Sequence, residues 1–248
     1  MKKFYVAILM FSLIPLATLA ADAPSVPSSS TVSVDRLTVK PVHLDAFKAG
    51  MVAHQKKYHT GKWAWRVSEI LSGPDQGDFQ IVEGPNSWTD MEDRGDLAEG
   101  HQKDYDKNIL AHIQTIKPTT YMTFNKNLST VASNAYSDVV VNQHLYVKPF
   151  KGGYVSSSIK MMSKAWEKMG WTVAVWSADR SGQNHYAISY RLPEGGLKNF
   201  DKDGPSTRET FDSIHGAGSY SRTLEILADS VDKEHYEITR YNKDISSK

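Results

Sequence analysis

Val39-Lys40-Pro41 recurs as Val147-Lys148-Pro149, an offset of 108 residues. Phe47, Met51, His54 and Tyr58, spaced i, i+4, i+7 and i+11, are matched at that offset by Val155, Ile159, Met162 and Trp166. Trp63 pairs in the same way with Trp171. At an offset of 109, Trp88, Met91 and Gly95 match Leu197, Phe200 and Gly204. Phe124-Asn125-Lys126 matches Tyr241-Asn242-Lys243 after an insertion. Landmarks that keep their order over most of a chain point to duplication of one supersecondary unit.

Each copy reads alike. A β-rich segment, Arg36 to Leu44 or Val139 to Val147, precedes an amphipathic helix, Ala46 to His59 or Gly152 to Met169. Its apolar stripe at helical spacing must face something apolar. Two strands follow, Trp63 to Leu71 with Asp78 to Glu83, and Trp171 to Ser177 with His185 to Arg191. The segments between them, Ser72-Gly73-Pro74-Asp75-Gln76-Gly77 and Asp179-Arg180-Ser181-Gly182, carry turn chemistry. A second helix is predicted over Asp96 to Ile116, and over Thr207 to Ala228 with a break at Gly216-Ala217-Gly218. Thr119 to Asn125 and His235 to Tyr241 close the copies as strands. The order is βαββαβ, twice, which predicts an α+β chain of two tandem ferredoxin-like units forming an intrachain α/β-barrel-type pair. The halves span residues 34–128 and 138–245, joined near Ser129 to Ser137.

That duplicated unit resembles the fused, tandem form of the dimeric α/β-barrel superfamily, with its monooxygenase-like, NIPSNAP-like and EthD-like members. Trp63, Ser72-Gly73-Pro74 and Gly84-Pro85-Asn86-Ser87-Trp88 look most like the small stress-response and monooxygenase-type barrels. The resemblance implies a fold and brings no catalytic motif with it. Chlorite-dismutase-like and Dyp-type haem proteins share the fold, but their proximal histidine has no matching motif here. An inward histidine therefore leaves haem possible, while no cofactor is predicted outright.

The first residues read as a targeting signal. Lys2 and Lys3 precede a nearly unbroken apolar run from Phe4 to Leu19, and small residues end it at Ala20-Ala21. This predicts a cleavable signal peptide over residues 1–21, a flexible Pro/Ser/Ala linker over 22–33 and a periplasmic or secreted destination. No membrane attachment is expected after cleavage. Loss of Lys2 and Lys3 turns a net charge of +1 into −1, so no global field gathers nucleic acid or anionic membrane. The absence of Cys removes disulfides, thiolate nucleophiles and Cys-ligated zinc. The fused halves predict a monomer or a homodimer.

His54 lies on the apolar stripe of the first helix. Leu97, His101, Tyr105, Ile109 and Ile113 step by four along the next, so His101 and Tyr105 share a face. His54, His101 and Tyr105, with Trp63 or Trp65 as an aromatic wall, are the candidate ligand-binding residues for a small apolar or aromatic molecule. His54, His101 and Tyr105 are also the catalytic candidates of a cofactor-free monooxygenase or isomerase, with an imidazole as base. No metal site is predicted, because His54 and His59 are five apart and do not share one helical face. Asp90, Glu92, Asp93 and Asp96 beside Arg94 read as a solvated loop at a helix start. The remaining readings are an interaction or stress-related module and a haem-binding protein.

Overall fold

The computed structural model describes residues 30–178 and 180–247; the signal segment and most of the linker lie outside the described residues. In chain order the first half runs β1 (Thr31–Val39), α1 (Leu44–Tyr58), β2 (Trp65–Ser72), β3 (Phe79–Asn86), α2 (Trp88–Glu92), α3 (His101–Asn108), β4 (Ile113–Ile116) and β5 (Thr120–Phe124). The second runs β6 (Val139–Val147), α4 (Gly152–Met169), β7 (Val173–Ala178), β8 (His185–Arg191), α5 (Thr207–His215), α6 (Ser219–Ser230) and β9 (Val231–Tyr241).

Neighbouring strands run β5-β1-β3-β2 and β9-β6-β8-β7, each a ferredoxin-like sheet of antiparallel strands. The two sheets join at both edges. β2 pairs with β9, with Ser68 opposite Tyr241, and β5 pairs with β7, with Thr123 opposite Ser177. Eight strands thus close into a barrel that leaves no free edge among them. The short β4 pairs beside the end of β1.

Strand alternation then gives each sheet two functions. On β2, Trp65 and Val67 face the helices and join Phe47, Met51 and Ile109 in one apolar core, while Arg66 and Ser68 face the barrel interior. On β8, Ile188 packs with Val155, Ile159 and Trp166 under α4, while Ala187 faces inward beside Trp176 and Met122. The helices lie outside the barrel, and there are three buried apolar clusters rather than one.

Several boundaries move from the sequence reading. β1 starts at Thr31, so Thr31-Val32-Ser33 are strand instead of linker; their backbone pairs with β3 and β5. The long helix expected over Asp96 to Ile116 is only α3, eight residues. Gly100 holds φ +80° at its start, which ends any continuous helix there, and Ile113 is already strand. Ile109 and Ile113 are buried as the stripe required, but on a turn and a strand. In the second half the break at Gly216-Ala217-Gly218 separates α5 from α6 as the glycines demand. The last residues leave the second half altogether: Ile245 packs in the first half's core, and Ser247 N–H donates to the Trp65 carbonyl.

No helix among the described residues is long and apolar enough to cross a membrane.

Candidate metal centre

Three imidazoles meet between the helices and the sheet of the first half. His54 stands on the buried face of α1 and is fully enclosed. His59 is one residue past the end of α1, with φ −106° and ψ 73°. Residues five apart on a continuous helix point about 140° away from each other. Leaving the helix removes that constraint and returns the His59 ring to its neighbour, 5.1 Å between centroids. Spacing along an unbroken helix was the wrong test for this pair. His101 opens α3 and arrives from the other side, 5.0 Å from His54 and 5.2 Å from His59. Gly50 allows that approach, because a Cβ there would overlap the Asn108 carbonyl of α3.

Every one of these imidazoles has its own carboxylate on Nδ1. His54 reaches Asp104 at 2.7 Å, His59 reaches Glu83 at 3.1 Å, and His101 reaches Asp96 at 3.0 Å. His59 Nδ1 also lies 3.2 Å from the Trp63 carbonyl, so it has two acceptors and must be the donor. Burial lowers the pKa of both His54 and His59, which favours their neutral forms. The carboxylates shift the other way. The hydrogen bond from His54 holds Asp104 below the usual range. Burial pushes Glu83 up, but His59 and Arg94 outweigh it and hold it ionised. Arg94 clamps Glu83 with Nε at 2.8 Å and Nη2 at 3.1 Å, and Trp65 Nε1 donates to the same carboxylate at 2.9 Å.

A neutral imidazole whose Nδ1–H is donated to a carboxylate presents a bare lone pair at Nε2. Here the three ligand nitrogens lie within 4.8 Å of one another. His59 Nε2 and His101 Nε2 are 3.2 Å apart. His54 Nε2 is buried and has no hydrogen-bond partner. Two nitrogens at ordinary bond length from one tetrahedral ion stand about 3.3 Å apart. Facing lone pairs at that distance repel unless a proton or a cation lies between them.

The walls are aromatic. Trp65 stacks on His59 with 3.5 Å between ring centroids, and Tyr105 is 5.8 Å from His54. Burial and Asp35 push the Tyr105 phenol up to about 12, so it stays protonated at neutral pH. Of the five residues the sequence singled out, His54, His101, Trp65 and Tyr105 meet here. Trp63 contributes its carbonyl, while its ring carries the Arg94 guanidinium 5.6 Å from its centroid. His59, Glu83, Asp96 and Asp104 were missed as site residues. A period-2 reading of β3, with Phe79, Ile81 and Glu83 on the buried face, was the available signal for Glu83.

The site is not an open pocket. Two cavities lie elsewhere among the described residues. One of about 950 Å3 separates sheet and helices in the second half, lined by Met162, Trp166, Tyr190, Leu224, Leu227 and Tyr236. The other, about 380 Å3, is the barrel interior. His54 and His101 are packed nearly parallel with an interplanar angle of 27°, so a haem on either would require the cluster to open.

No family model and no curated relative matches the chain. Solved structures do. A monooxygenase-like protein from Lactobacillus acidophilus NCFM aligns with TM-score 0.52 at 12% identity, covering 85% of this chain and 93% of that one. An anthrone oxidase-like protein aligns with TM-score 0.52 at 12% identity, covering 87% and 92%. A mutant chlorite dismutase from Candidatus Nitrospira defluvii aligns with TM-score 0.53 at 7% identity, covering 88% and 93%. The chain shares the fold of these proteins. At these identities the likeness is one of fold alone.

Proposed function

We propose that this chain is an exported metal-binding barrel whose first half holds a first-row transition ion through His54, His59 and His101. The observation that carries the reading is the convergence of three imidazoles, with His59 Nε2 3.2 Å from His101 Nε2 and each ring backed by a carboxylate on Nδ1. Three imidazole ligands suit Zn2+ or Cu2+, with Cu2+ the tighter on general affinity grounds. Three protein ligands leave a fourth position, and water bound there by zinc would be acidified toward pH 7. Export is supported by the Lys2-Lys3 and Phe4 to Leu19 pattern, and the halves are read as two copies of one βαββαβ unit, monomeric or dimeric. Titration of chelator-stripped protein with Zn2+ and Cu2+ by calorimetry tests the site. One ion per chain is expected, with affinity at least 100-fold weaker in His101→Ala. Binding that is weaker than about 0.1 mM, or indifferent to that substitution, sinks the reading.

A second reading rests on the 950 Å3 cavity of the second half. Its Trp, Tyr, Leu and Met lining suits a small apolar or aromatic ligand, which moves that expectation from the first half to the second. A shift in tryptophan fluorescence with a naphthalene-type probe, lost in Trp166→Ala, is the expected result; no shift at saturation would falsify it.

A further inference from the structure

The barrel interior holds two guanidiniums, Arg66 and Arg191, that no carboxylate among the described residues neutralises. Arg66 of β2 and Arg191 of β8 both line the cavity of about 380 Å3. The arginine at its other end is matched: Arg36 binds Glu237 at 2.6 Å and 2.8 Å and Asp75 at 2.7 Å. Arg66 and Arg191 have no carboxylate within ion-pair distance among the described residues. Arg66 donates Nη2 to the Gly84 carbonyl at 2.7 Å, and Arg191 donates Nε to the Ala135 carbonyl at 2.8 Å. Arg191 Nη1 is buried with no partner. Burial pulls both guanidiniums below their ordinary range, Arg191 to about 10, with Arg66 adding like-charge repulsion.

Two unpaired, partly buried charges sharing one cavity cost stability, because neither Coulomb attraction nor full hydration offsets their burial. A third, negative group reverses that balance. Guanidinium presents paired N–H donors that match the two oxygens of a carboxylate. The walls beside them are mixed: Val82, Val140 and Trp176 offer apolar surface, Ser68, Asn142 and Thr239 offer polar groups, and Tyr241 lies within reach of Arg66's charge. A fully hydrated inorganic anion gains little from such walls, whereas an anion with an apolar body gains from burial.

We propose that the barrel interior is a binding site for a small carboxylate with an apolar or aromatic body, its carboxylate held between Arg66 and Arg191. This site is distinct from the three-histidine centre, which lies on the other face of the same sheet. Trp65 faces the histidines and Arg66, its neighbour in sequence, faces the barrel.

Calorimetric titration of the full mature chain with benzoate, in low-chloride buffer, tests this. Benzoate is expected to bind and to raise the melting temperature. Benzyl alcohol, the neutral analogue, is expected to bind at least about tenfold more weakly. Arg66→Met and Arg191→Met each weaken benzoate by at least about tenfold, and His101→Ala leaves it unchanged. Without ligand, both methionine variants melt at or above the wild-type temperature, since each removes an unpaired buried charge. A purely structural arginine gives the reverse, a lower melting temperature and unaltered benzoate binding. If a methionine variant fails to fold, the benzoate and benzyl alcohol comparison on the wild-type chain decides. Equal binding of the two, absence of benzoate binding at about 10 mM, or preference for inorganic phosphate over benzoate overturns the proposal.

Discussion

One group of three histidines lies between the helices and the sheet of the first half, the other faces the barrel interior from β6, β8 and β9, and they are built differently. His54, His59 and His101 each have a separate carboxylate, and the Nε2 atoms of His59 and His101 stand 3.2 Å apart. His144, His185 and His235 crowd as closely, with His144 and His235 stacked at 4.7 Å and His144 Nδ1 3.4 Å from His185 Nε2. They have one carboxylate among them, Glu237, and Arg36 already holds both of its oxygens. His144, His235 and Glu237 also lie within ligand distance of one another. Proximity alone therefore does not make a metal site. The separate carboxylates fix three tautomers in the first group, while in the second Glu237 is already engaged by Arg36 and His144.

The sharpest way to break that contrast is to delete one imidazole from each group. His59→Ala should weaken metal by at least about 1,000-fold, while His235→Ala leaves it within a factor of about three, both by calorimetry. Equal losses would show that the ion binds in the barrel. Acid separates the groups next. Burial, with His144, Arg36 and His235 close by, lowers His185 to about 4. The unfolded chain therefore binds more protons than the folded one between pH 6.5 and 4, and stability falls as pH drops through that window. The upper limit is roughly 3 kcal/mol. Glu237, held at about 2 chiefly because His144 and Arg36 outweigh its burial, adds a further loss as pH falls from 4.5 toward 2. Urea unfolding of wild type and His185→Phe across pH 7 to 4 checks it; a slope unchanged in the variant assigns the loss elsewhere.

Smaller effects sharpen the role of the carboxylates. Glu83→Gln and Asp104→Asn should each weaken metal by about 10- to 100-fold without removing a ligand, because they loosen the tautomer and orientation of His59 and His54. Glu83 should give the larger loss, since Arg94 and Trp65 fix it as well. Smallest is Ser247→Ala. Ser247 Oγ donates to the His59 carbonyl at 2.7 Å, so its loss should cost about 1 kcal/mol in urea unfolding and a few-fold in metal affinity. No change in either measurement would show that the chain end is a passive strap.

The apolar periodicity of α1 and α4, the alternation of the strands and the Gly-containing breaks were enough to place most elements and to bury Phe47, Met51, Val155 and Ile159. They also put His54, His101 and Tyr105 on one side of the first half. These are local signals, carried by 3.6- and 2-residue periods. The closure of eight strands, by contrast, depends on β2 meeting β9 across more than 160 residues and β5 meeting β7 across more than 50, which no local period encodes. The metal centre was illegible for the same reason. His59 acquires its direction only where α1 ends, and Glu83, Asp96 and Asp104 become its supports only when a strand, a loop and a short helix converge. Sequence by itself determined which faces are apolar and that His54 and His101 point inward. Tertiary structure alone decided which charges those histidines meet, because electrostatic partners are chosen by distance in space and not by distance along the chain.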